Sequence, residues 1–148
     1  MARPVTQRSR QQGRITITGY ASLFDQPDAS GDVVRPGAFR RSLRQRGANG
    51  IAMLWQHDPA RPVGVWTHMS EDRHGLRVIG QLLPDVAQSR EAAHLIASGA
   101  LSGLSIGFQA LKALKAGGRG ARTLIELDLW EVSLVTFPQM DKARVRLV

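Results

Sequence analysis

A serine hydroxyl can attack a carbonyl carbon when a histidine takes its proton and a buried acid orients that histidine. Three segments of this sequence offer those groups. In Gly103-Leu104-Ser105-Ile106-Gly107 a serine stands between two glycines. Read as a strand, the segment puts Leu104, Ile106 and Phe108 on one face and Gly103, Ser105 and Gly107 on the other. The Ser105 hydroxyl is then open to an approaching backbone, although the same glycines would also let a helix or strand pack close. Glu131 lies in a long apolar strand. Strict alternation puts it on the face of Ile125, Leu127, Leu129, Val135 and Phe137, with Trp130, Val132 and Leu134 opposite. A carboxylate there needs a partner, either a catalytic histidine or one of the many arginines. His57 follows Ile51, Met53 and Trp55 in phase and stands where a strand meets a loop, a common place for a catalytic base.

Other assignments fit less well. The glycine-serine segment matches G-x-S-x-G, the strand-to-helix elbow of α/β-hydrolases. An elbow requires a helix after the serine, whereas Ile106-Gly107-Phe108-Gln109-Ala110 continues as a strand. It also requires a histidine later in the chain, and His57, His68, His74 and His94 all precede Ser105. Ser102 is a second candidate nucleophile, but it falls in the core-facing phase. His68 is mid-strand, His74 lies in a hairpin tip, and His94 forms one Glu-x-x-His pair with Glu91, a poor metal site without a second set. No cysteine occurs, which excludes disulfides, thiolate metal sites and a cysteine nucleophile. No cofactor and no metal are expected.

The elements that must position these residues are mostly strands. Residues 1–13 read as a flexible basic tail and 14–148 as one domain. Arg14–Phe24 alternates as a strand, and Asp32–Arg35 is a short extended piece. Pro36 opens a basic helix over Ala38–Arg46, ended by Gly47. Ile51–His57 is a strand stopped by Asp58-Pro59, and Val63–Met69 is the next. Gly75–Leu83 completes a hairpin around Glu71 to His74. Asp85–Ser98 is a helix with Val86, Ala93, Leu95 and Ile96 on its apolar face and Gly99 as its stop. Strands follow at Leu101–Leu111, Thr123–Phe137 and Ala143–Leu147, with Ala116 to Ala121 as a glycine-rich hairpin tip. The pattern is α+β and β-dominated, an antiparallel β-barrel flanked by a few helices.

The net charge of +8 leaves three partners open: nucleic acid, an acidic protein, or water alone. Aromatics do not interleave with the arginines, so stacking on single-stranded nucleic acid is poorly supported. No apolar run suits a signal peptide or a membrane span, and a cytosolic chain is expected.

At these residues the chain resembles the prohead maturation proteases of tailed phages, which are related in fold to herpesvirus assemblins. The matching segments are Gly19-Tyr20-Ala21 with Phe24, Gly31-Asp32-Val33-Val34 leading to Pro36-Gly37-Ala38-Phe39, and Leu54-Trp55-Gln56-His57-Asp58 with Pro62-Val63-Gly64. They continue in Gly99 to Phe108 and in Glu131-Val132-Ser133-Leu134-Val135-Thr136-Phe137-Pro138. The resemblance implies a serine endopeptidase with Ser105 as nucleophile, His57 as base and Glu131 as third member, where the herpesvirus enzymes use a second histidine. It implies as substrates the scaffolding segment of the major capsid protein and the protease itself, inside an assembling procapsid. It places the oxyanion donors in the turn at Gln139 to Lys142 and leaves a homodimer or higher assembly open. A catalytically silent scaffold of the same fold, a basic nucleic-acid-binding barrel and an esterase are the competing readings.

Overall fold

The computed structural model describes residues 13–115 and 121–148. The basic tail expected at 1–13, apart from Gly13, and nearly all of the glycine-rich segment at 116–121 therefore lie outside the described residues. Among the described residues, eight strands and two α-helices follow one another. They are β1 (Ile15–Leu23), β2 (Val33–Val34), α1 (Arg40–Arg46), β3 (Ala52–Trp55), β4 (Asp58–Glu71), β5 (Gly75–Leu82), α2 (Ala87–Ser98), β6 (Gly103–Lys115), β7 (Arg122–Val135) and β8 (Val145–Leu147).

The α+β, strand-dominated reading of the sequence matches this order, but the closed antiparallel barrel does not. β7 is central. β6 pairs with it antiparallel along one edge, while β2 and β3 pair with it in parallel. From β3 the sheet continues antiparallel through β4, β5 and β1 to β8. β8 is only three residues long. Its approach to β6 is a single bridge, Gly103 to Arg144, flanked by hydrogen bonds from Leu104 N–H to Ala143 O and from Val145 N–H to Ser102 O. The sheet is thus mixed and open.

Asp58-Pro59 also behaves differently from expectation. It opens β4 rather than ending a strand. Trp55 pairs with Asp58 and Leu54 with Pro62, which leaves residues 59–61 outside the regular ladder. Proline is tolerated where a strand bulges, because no ladder hydrogen bond is lost. In α2 the buried face is Ser89, Ala92, Ala93 and Ile96, and Leu95 lies outside it.

The core holds Ile17, Phe39, Ile51, Met53, Trp66, Leu76, Leu104, Leu127, Leu129 and Leu134, all essentially inaccessible to water. Trp66 satisfies its indole N–H on Val132 O at 3.2 Å. One stretch of β7 has no strand on the edge away from β6, namely residues 125–130, between the segments paired with β2 and β3. Bare backbone groups in a core are costly, so something must meet them. The segment leading through α1 does so. Leu127 N–H donates to Ala38 O at 3.0 Å. The buried Ser42 hydroxyl donates to Leu127 O at 2.9 Å and accepts from Leu129 N–H at 2.8 Å.

Ser42→Ala strips partners from two buried backbone groups at once. It is expected to cost about 1–3 kcal/mol, which lowers Tm by about 2–4 °C for each kcal/mol in a domain of this size. Scanning calorimetry reads this, and a shift below one degree would show that β7 does not depend on this bridge.

Candidate active site

β6 and β7 bring the serine and the acid onto one face. In their register Gly103 is opposite Val135, Ser105 opposite Ser133, and Gly107 opposite Glu131. Opposed residues point the same way, with Cβ atoms about 4.5–5.5 Å apart. The other face carries Leu104 opposite Leu134 and Ile106 opposite Val132, packed toward the core. Ser105 and Glu131 are both buried.

Strict alternation misplaces Glu131. Gly107 pairs with Glu131, but Phe108 pairs with Leu129, so Trp130 has no partner and forms a β-bulge. A bulge adds one residue and reverses the phase of everything beyond it. Leu127 and Leu129 therefore face the core with Phe108, while Glu131 faces Gly107 and Ser105. The bulged Trp130 is itself exposed rather than grouped with buried Val132 and Leu134.

Three neighbours receive the Glu131 carboxylate. One oxygen, Oε1, is hydrogen-bonded to His57 Nδ1. The other, Oε2, accepts from the Ser133 hydroxyl at 2.5 Å. The third neighbour is an absence: a Cβ on Gly107 would overlap the carboxylate and lie 2.6 Å from Glu131 Cγ. Gly107 is thus a slot for the acid. Its bare backbone is filled from within the protein, not left free for a visiting chain.

His57 does not end a strand. β3 stops at Trp55, and Gln56 and His57 are the two central residues of a tight hairpin into β4, with φ of 50° and 60°. Positive φ at both positions is the hand that suits the twist of a two-residue hairpin, but glycine and asparagine are its usual occupants. Each non-glycine residue held there costs about 1 kcal/mol or more. Side chains and backbone from β7 and from Thr136, just after it, hold the turn in place. Gln56 N–H donates to Leu134 O at 2.9 Å. The Gln56 amide donates to Thr136 Oγ1 at 2.8 Å and accepts from Thr136 N–H at 3.2 Å. His57 N–H donates to Ser133 Oγ at 3.1 Å.

Ser133 therefore bridges Glu131 and His57, and sequence reasoning missed it. The available signal was its spacing: it stands two residues after Glu131, hydroxyl-bearing, in a run that is otherwise apolar. Gln56 was also missed, because a turn was not expected there.

The imidazole is partly exposed and the acid is not, with side-chain exposures of 43% and 5%. The hydrogen bond from His57 Nδ1 to Glu131 raises the His57 pKa above its ordinary 6.5, burial opposes the rise, and the carboxylate's charge adds to it. Nδ1 is committed to Glu131, which leaves Nε2 as the nitrogen free to exchange a proton with a nucleophile.

The remaining candidates are elsewhere. Ser102 precedes β6 and its hydroxyl accepts from Arg144 at 2.9 Å. Asp58 caps its own turn through Ala60 N–H and lies 3.4 Å from the Arg61 guanidinium. His68, His74 and His94 are exposed. Among the described residues no three histidine, cysteine or acidic side chains group as a metal site would require, and no helix is long and apolar enough to cross a membrane.

Known proteins share this arrangement of strands. The sequence pattern of the family described as caudovirus prohead serine protease matches residues 3–148. The prohead protease of Enterobacteria phage HK97 is 34% identical over 131 residues, which is 86% of this chain and 57% of that protein. The chain thus spans little more than half the length of that relative. Among solved structures, the Kaposi's sarcoma herpesvirus protease in complex with a hexapeptide phosphonate inhibitor superposes with a TM-score of 0.62 at 14% identity, covering 89% of this chain and 64% of that one. The bacteriophage T4 capsid assembly protease gives a TM-score of 0.62 at 11% identity, over 81% of this chain and 82% of its own.

His57 is expected to titrate above 6.5, read by NMR of its imidazole. Glu131→Gln should lower that value to or below 6.5, because the burial that depresses it remains. Gly107→Ala should do the same by evicting the carboxylate. An unchanged His57 titration in Gly107→Ala would end the slot argument.

Proposed function

The chain belongs to the caudovirus prohead serine protease family, and from that premise we propose that it is a serine endopeptidase that trims the scaffolding segment of the major capsid protein, and itself, inside the assembling procapsid. The observation that carries the reading is the commitment of His57 Nδ1 to buried Glu131 on the face that holds Ser105.

In the proposed reaction, Ser105 Oγ bonds to the scissile carbonyl carbon while His57 Nε2 takes its proton. The carbon–nitrogen bond then breaks, and the same proton passes to the leaving amine. Water, deprotonated by His57, attacks the acyl-serine and releases the new carboxylate and Ser105. Glu131 keeps the Nδ1–H tautomer and stabilises the imidazolium that forms twice in each cycle. Backbone N–H groups of the turn at Gln139 to Lys142 are the proposed oxyanion donors, as the resemblance to the herpesvirus enzymes implies. A silent scaffold of this fold is disfavoured, because it has no need for a buried acid turned onto a strained histidine.

The test is co-expression with the cognate major capsid protein, reading intact masses of both chains. The unaltered chain is expected to trim the capsid protein and Ser105→Ala to leave it whole. Equal trimming by both would remove Ser105 from the mechanism. Because the base must be neutral and its pKa is raised, kcat/KM should rise with pH through a midpoint above 6.5. Glu131→Gln should move that midpoint down and lower the plateau by about 10⁴-fold.

A further inference from the structure

The outer face of β1, β5 and β8 carries an open cavity of about 280 Å³, lined by Arg77, Lys142, Arg144 and Arg146 and by no carboxylate. The strands explain how these cations gather. Ala143 and Val145 are buried, while Lys142, Arg144 and Arg146 beside them are exposed. β8 pairs Arg146 with Thr18, and β5 pairs Arg77 with Tyr20, so two cations flank one stretch of β1. The hydroxyls between them are already used. Thr18 donates to Val78 O at 3.0 Å, and Tyr20 donates to Asp72. Asp141 takes one cation, 2.8 Å from the Arg144 guanidinium. Arg77, Lys142 and Arg146 form no ion pair among the described residues. Like charges gathered in a concave wall focus a positive potential that draws anions.

We propose that this cavity docks an acidic segment of the substrate chain, held apart from the bond that is cut. The occupant is a peptide rather than a nucleic acid. Asp141, paired with Arg144, and Asp72, bonded to Tyr20, put negative charge at the margin, which a continuous run of phosphates would meet. The Tyr20 ring is also tied up, edge-on to His74 with centroids 6.0 Å apart, and is not free to stack on a base. An extended peptide sets alternate side chains about 6.6 Å apart on one face. Arg144 and Arg146 share that spacing, so a Glu-x-Glu pattern fits them, with Lys142 and Arg77 for flanking acids. A guanidinium fork can meet both oxygens of a carboxylate. The cavity also adjoins the nucleophile's strand. Arg144 donates to Ser102 Oγ at 2.9 Å and bridges to Gly103, two residues before Ser105. A segment bound here is tethered beside that strand, which raises the effective concentration of the bond to be cut. The inference rests on the proteolytic reading and adds how the substrate is recognised.

The probe is a fluorescein-labelled peptide that alternates glutamate and serine, read by anisotropy against the full chain carrying Ser105→Ala, so that no cleavage intervenes. The comparisons are a peptide of the same composition with its glutamates in one block, an alternating lysine-serine peptide and a DNA duplex. The alternating acidic peptide is expected to bind tightest, and raising salt from about 50 to about 200 mM to weaken it on the order of 10-fold. Arg77→Gln and Arg146→Gln should each weaken it about 2- to 5-fold, and together about 10-fold. Both residues are exposed, so Tm should stay unchanged. Arg44→Gln, on α1, should bind as its parent does. With Ser105 restored, the double variant should trim purified capsid protein with KM raised about 10-fold and kcat unchanged. Equal binding of the two acidic peptides, equal binding of the lysine peptide, binding that survives both substitutions, or tighter binding of DNA would each overturn the docking site while leaving Ser105 as nucleophile. No trimming by the unaltered chain would instead overturn the proteolytic reading, and the substrate as occupant with it.

Discussion

Placing a carboxyl group inside a β-sheet core is the constraint around which this fold is arranged. A buried charge is tolerated only when each oxygen is met by a donor and the cavity around it fits closely. Glu131 meets that demand through His57 and Ser133, with Gly107 making room. None of these three can be changed without exposing the cost. The arrangement is also an orienting device: the groups that stabilise the acid are the ones that fix the tautomer and ring direction of the histidine. The stability of the buried acid and the orientation of the imidazole draw here on the same few atoms.

That coupling explains why backbone irregularities gather around the site. The Trp130 bulge turns Glu131 away from the leucine face. The positive-φ pair at Gln56 and His57 swings the imidazole off the line of β3. Both distort the regular ladder, and both are met by specific hydrogen bonds, from Ser42 near the bulge and from Ser133, Leu134 and Thr136 at the turn. Strain of this sort persists only where its surroundings over-determine it. A sheet that was regular throughout would be easier to form, yet Glu131 and His57 would not meet in it.

The order of elements was legible in the sequence because each strand and helix writes its own period and its own stops. Gly47 and Gly99 ended their helices, and the hairpin after Glu71 formed as read. Ser105 and Glu131 stood out in the sequence as polar residues in apolar strands, whereas the turn that carries His57 did not. What could not be read were relations between distant segments. The bulge at Trp130 exists only relative to β6, so alternation along β7 alone put Glu131 with Leu127 and Leu129. The open, mixed sheet likewise depends on which edge of β7 takes β3, and no local pattern carries that. Ser133 was overlooked because its importance lies in two partners, one of them 76 residues away.

Strand direction completes the argument. β3 runs parallel to β7, with Trp55 beside Leu134. Continued as an extended strand, His57 would lie level with Thr136, past Ser133 and too far along to reach Glu131. The two-residue hairpin stops that run. Gln56 continues forward and clasps Thr136, while His57 folds back over Ser133 toward the carboxylate. Parallel pairing lays the end of β3 beside β7, and the turn then returns His57 by the few residues that the register overshoots. Neither suffices alone, which is why a strained turn occupied by glutamine and histidine, rather than the asparagine and glycine that would favour it locally, closes the one hairpin that leads into the site.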